Sequence, residues 1–77
     1  MELDLHDAIR NRLVCELDFE GEHCTLEPYS LEDGPNGELH LVVYVLSGSK
    51  TGWNQFSEWS NLKISKKTFT PRKQNTI

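Results

Sequence analysis

Residues 13–28 read LVCELDFEGEHCTLEP, and this stretch decides the fold. Leu13, Cys15, Leu17 and Phe19 alternate with Val14, Glu16 and Asp18, the two-residue period of a strand with one covered face. Glu20-Gly21-Glu22-His23 supplies a turn, and Cys24, Leu26 and Pro28 carry the inward set back along a second strand. With Gly21 and Glu22 as the loop residues, Cys24 faces Phe19 and Cys15 faces Pro28. The two cysteines then share a face about four residues apart, roughly 13 Å at strand rise and beyond the ~7 Å that a disulfide spans between Cα atoms. They read as two buried thiols acting as small hydrophobes.

Upstream of the hairpin, Asp4 is placed to cap a helix, with Asp7 three residues on and Leu3 and Ala8 at the staple positions. The spacing of Leu5, Ala8, Ile9 and Arg12 predicts a short helix from Leu5 to about Asn11 that must lie on something else. Downstream, Ser30 to Gly37 (SLEDGPNG) reads as a loop, and Glu38 to Ser47 as the longest strand. In that strand Leu39, Leu41, Val43 and Val45 alternate with His40, Val42, Tyr44 and Leu46, so both faces are apolar in its second half. A polar turn over 47–52 leads to a fourth strand, Trp53 to Phe56. Ser57 to Asn61 makes a tight connection, and Leu62 to Phe69 forms a fifth strand. Residues 70–77 read as a flexible polar tail.

This order predicts a mostly β fold with one N-terminal helix (α+β), a five-stranded, bent antiparallel Sm-like barrel in a single domain over residues 1–69. Phe19, Leu26, Leu41, Val43, Phe56 and Ile64 are expected to be buried together.

A chain of 77 residues, 36% hydrophobic and 26% charged, leaves room for one small soluble domain. The longest apolar run is LVVYVL, residues 41–46, and the chain opens MELDLHD, so neither a membrane span nor a signal peptide is expected. A reducing, cytoplasmic setting follows. Charge is unevenly placed: residues 1–40 carry eleven Asp and Glu against Arg10 and Arg12. Residues 41–77 carry Glu58 against Lys50, Lys63, Lys66, Lys67, Arg72 and Lys73. The overall charge of −4 argues against a dedicated nucleic-acid binder, while the asymmetry marks either an interaction surface or signs that cancel on folding.

The residues also resemble a known family. Ala8-Ile9 in a leading helix, a strand ending in Phe19, Glu27-Pro28-Tyr29-Ser30-Leu31, Leu41 followed by Tyr44, then Phe56, Trp59, Leu62, Ile64 and Phe69 follow the order of the WYL domain family across residues 5–69. The resemblance implies a module of bacterial transcription regulators or of phage-defence systems, one that binds nucleic acid or a nucleotide-like ligand through basic and aromatic residues. The sequence departs from the family pattern at informative places. Leu39-His40 stands where the name-giving Trp-Tyr is expected, Asn54 and Cys24 stand where arginines are usual, and the Phe56–Trp59 connection is about two residues shorter. Arginine is the residue suited to bidentate phosphate contact, so the family's anion site lacks its main anchors here. No helix-turn-helix precedes the domain within these residues.

Chemistry-bearing constellations are sparse. His23-Cys24 with Cys15 lacks the spacing of a zinc site, so no metal and no cofactor are expected. No phosphate loop, nucleophile elbow or paired acid motif occurs, which argues against an enzyme. His40 continues a strand face with Val42 and Tyr44. Lys63, Lys66, Lys67, Arg72 and Lys73 form a basic cluster on the last strand and tail. The candidate binding residues are therefore His40, Asn54, Lys63, Lys66, Lys67, Arg72 and Lys73. Two readings follow: a non-enzymatic regulatory module for nucleic acid or a nucleotide-like ligand, or a degenerate Sm-like barrel acting on a protein partner or forming a homo-oligomer.

Overall fold

The helix begins where the capping residues put it. In the computed structural model, which describes residues 4–73, α1 runs Leu5–Asn11 behind a capping box. Asp4 accepts from the Asp7 backbone N–H at 2.9 Å, and Asp7 accepts from that of Asp4 at 3.1 Å. Leu3, expected as a staple, lies outside the described residues. Seven residues cannot hold a helix in water, so α1 persists by burying Leu5 and Ala8 in the core. It ends at Arg12, whose backbone turns left-handed at φ 56 while its N–H returns to the carbonyls of Ala8 and Ile9.

Five antiparallel strands follow: β1 (Leu13–Phe19), β2 (Glu22–Asp33), β3 (Leu39–Val45), β4 (Gly52–Phe56) and β5 (Ser60–Thr68). The hairpin between β1 and β2 pairs Cys15 with Leu26 and Leu17 with Cys24, so the expected register is corrected by two residues. The loop residues are Glu20 and Gly21, at φ 51 and 78, because a two-residue hairpin favours a turn with both central residues left-handed. A slip of two leaves every side chain on its face, and both thiols are buried and unbonded as expected. Val14, expected outward, is buried too.

β2 continues through Ser30–Asp33, which the Gly, Pro and Asn of the following segment had suggested were loop; only residues 34–38 connect to β3. Pairing passes from Pro28 opposite Val43 to Ser30 opposite Val42, leaving Tyr29 as an extra, bulged residue. Pro28 has no N–H to give the ladder, and a bulge is where a sheet tolerates that loss. Beyond it the alternation inverts, and Leu31 packs on the core.

The strand order is β4-β3-β2-β1-β5 in one sheet. The sheet is bent, as expected, and it is not closed: β4 and β5 are its two edges and do not pair. The connection over 57–59 can span at most ~14 Å, so the bend must bring the two edges near one another at that end. There Phe19 of β1 stacks on Phe56 of β4 with ring centroids 4.1 Å apart.

Leu26, Leu41, Val43 and Phe56 form the expected core with Cys15, Leu17, Cys24 and Val45. Phe19 and Ile64 are only partly buried against it, since each sits at the core's rim. Among the described residues no helix is long and apolar enough to cross a membrane.

Candidate nucleic-acid interface

The antiparallel ladder sorts the uneven charge. Leu13 pairs with Thr68, and the Phe69 N–H donates to the Arg12 carbonyl at 2.9 Å. This gathers Arg12, Lys66, Lys67, Arg72 and Lys73 at one end of the β1–β5 pair. The other end holds Asp18, Glu20 and Glu58 around a shallow hollow with Trp59. Lys63 stands apart from the basic group, facing Glu16 across the ladder.

At the basic end, the sheet face turned away from the core carries Glu27, Tyr44 and Trp53 in one cross-strand row. The bulge lifts Tyr29 beside it, with ring centroids 4.7 Å from Trp53 and 5.5 Å from Phe69. Tyr44 meets Trp53 edge-on at 5.3 Å. Arg72 folds back onto this row. Its guanidinium lies 4.0 Å from the Tyr44 ring centre, and its Nε donates to Glu27 Oε1 at 3.0 Å. The Tyr29 hydroxyl accepts from the Arg72 backbone N–H at 2.8 Å and donates to the same Glu27 oxygen at 2.9 Å. Glu27 is the one buried charged residue among those described, and these two donors let its carboxylate stay there. Burial pushes the Tyr29 hydroxyl above its ordinary pKa, and Glu27 pushes that of Arg72 up. Arg72 is thus held as a cation over an aromatic ring, with Trp53 left 37% exposed beside it.

The other candidate residues fall elsewhere. Lys66, Lys67 and Lys73 are exposed near Arg72's end of the fold. His40 lies on the same outer face of β3 but four residues, about 13 Å, from Tyr44, opposite Glu32, with Nε2 3.3 Å from Glu38 Oε1. Asn54 pairs with Val43 on the core face, and its side-chain amide donates to the carbonyls of Lys50 and Gly52. That amide braces the β3–β4 turn. Glu27, Tyr29, Tyr44 and Trp53 were not among the expected binding residues. Tyr44 and Trp53 share a parity that a β3–β4 hairpin brings side by side, but Tyr29 joins them only through the bulge.

A second polar cluster lies along β1. His23 stands between two carboxylates, with Nε2 2.7 Å from Glu16 and Nδ1 3.0 Å from Asp18. Asn61 donates to the other Asp18 oxygen at 2.8 Å, and a hollow of about 450 Å³ opens beside them and Lys63. The bonds to Glu16 and Asp18 raise the His23 pKa, and those from Asn61 and His23 lower that of Asp18. Among the described residues no group of histidine, cysteine or carboxylate side chains is arranged to hold a metal ion.

Compared with known proteins, the chain matches no family model, no curated protein and no solved structure.

Proposed function

We propose that the chain is a non-enzymatic, WYL-like regulatory module that takes a nucleic-acid strand or a nucleotide-like ligand on the outer face of its sheet. It would act in the cytoplasm, as an accessory to transcription control or phage defence. The observation that carries the binding reading is the row of Tyr44 and Trp53 with Tyr29 beside it and the Arg72 guanidinium over the Tyr44 ring. Aromatic rings on an open sheet face stack nucleobases without regard to sequence, and a fixed guanidinium is the side chain suited to phosphate. The two unbonded, buried thiols support the reducing compartment.

The test is light scattering of the purified chain at about 50 and 300 mM salt, with and without a mixed-sequence single-stranded oligonucleotide. The proposal expects a complex that forms at low salt, dissolves at high salt and is weakened by Trp53→Ala. One feature favours a second reading, that of a protein-interaction or homo-oligomerising barrel. Both sheet edges are unpaired, and Leu39, Leu46 and Trp53 are exposed on or beside the edge hairpin of β3 and β4. A salt-resistant oligomer indifferent to the oligonucleotide would select that reading.

A further inference from the structure

Behind the aromatic row, a hollow of about 200 Å³ opens between α1 and the segment after β5. Ile9, Arg12, Pro28, Tyr29, Phe69 and Pro71 wall it. Tyr29 belongs to both places, with its ring near Trp53 on the outer row and near Phe69 in the hollow. A tyrosine, a phenylalanine and two proline rings wall the hollow together with the polar Arg12, and its size suits a single ring system with a charged or polar substituent rather than a larger ligand.

Arg12 is the cation of this hollow, as Arg72 is of the outer row. Its main chain is tied at both ends, the N–H into the α1 cap and the carbonyl to the Phe69 N–H. Its φ of 56 is a conformation where glycine or asparagine is the unstrained choice. That backbone, fixed by the helix cap and the Phe69 hydrogen bond, sets the guanidinium beside the ring-walled hollow. Among the described residues its guanidinium forms no ion pair. Two arginines thus flank Tyr29, one toward Tyr44 and one toward Phe69, and each adjoins a surface on which a base can stack.

We infer that this face is built for two consecutive nucleotides of a single strand. One base lies on the exposed side of Trp53, and the next enters the hollow against Tyr29 and Phe69. Arg72 takes the phosphate on the first side and Arg12 the phosphate on the second. The inference rests on the nucleotide-binding reading above, and adds a minimum ligand length and a second arginine.

The test is a tryptophan-fluorescence titration in a Trp59→Phe background, which leaves Trp53 as the reporter. Thymidine 5′-monophosphate is compared with the 5′-phosphorylated thymidine dinucleotide. The dinucleotide is expected to bind about tenfold tighter or more, the contribution of one further stacked base and of one further phosphate held by an arginine. Arg12→Gln is expected to narrow that difference to what stacking alone supplies without moving the unfolding midpoint, and Arg12→Lys to restore part of it. Equal affinities for the two probes overturn the inference while the single-ligand reading stands. A dinucleotide preference of the same size in Arg12→Gln overturns it as well. If neither probe alters Trp53 fluorescence, and the oligonucleotide gives no complex in scattering, both the inference and the nucleotide-binding reading fall.

Discussion

Leu41 has no exposed surface and meets Leu31 and Phe56 across two ladders, so truncating it leaves a cavity that neighbours on paired strands cannot collapse into. Leu41→Ala should cost about 2–5 kcal/mol, most of what a domain this small possesses. A urea melt with an unshifted midpoint would refute the core assignment. The thiols behave in the same buried way: burial pushes Cys15 up to about 11 and raises Cys24 too, so neither is a thiolate near neutral pH. Native protein should resist a thiol reagent that labels both cysteines in denaturant. His23 makes stability depend on pH with a definite sign. Its raised folded pKa means its contribution is full below the ordinary value of about 6.5 and drains as pH rises through the folded value. Asp18, shifted down, contributes above its ordinary value of about 3.8 and loses that as pH falls through the folded value. Urea midpoints should therefore decline from about pH 6 to about pH 8 in the native chain, and decline less in His23→Gln; equal slopes would count against the bridge.

At the scale of elements, the informative cases are the two places where local pattern and pairing disagreed. The β1–β2 face assignment was legible because a period of two is visible in any register, whereas the turn position was not, since slips of two residues preserve every face. Glu20→Asn separates the registers by sign. In the observed turn Glu20 is left-handed, a conformation asparagine tolerates, so the change should stabilise by roughly 0.5–1 kcal/mol in a denaturant melt. Were Glu20 a strand residue instead, asparagine would destabilise it. The lost 3.7 Å contact to Lys50 joins two partly exposed side chains and counts for little. The second disagreement, strand over Ser30–Asp33, arises because turn residues describe where a chain is able to bend. The bulge at Tyr29 had already supplied the bend, and β3 supplied partners for four more residues.

For the whole molecule, the gathering of Arg12, Lys66, Lys67, Arg72 and Lys73 at one end makes salt dependence the sharpest quantity to measure. If three to five of these cations meet phosphates of a single strand, affinity for an oligonucleotide should fall roughly 20- to 100-fold between about 50 and 200 mM salt. A flat response in fluorescence titration would remove the phosphate contacts from the proposal. By itself the sequence determined the helix with its capping box, the presence of five strands, the alternation that turns β1, β3 and the first half of β2 inward, and the buried thiols. Those follow from periodicity and short-range capping, which act within a few residues. Only the tertiary structure decided which charges are neighbours, that Arg72 returns to Glu27, and that Tyr29 and Arg12 line one hollow. Each of these depends on a bulge, a bend or a pairing between segments more than forty residues apart, and no local pattern encodes the register of such a pairing.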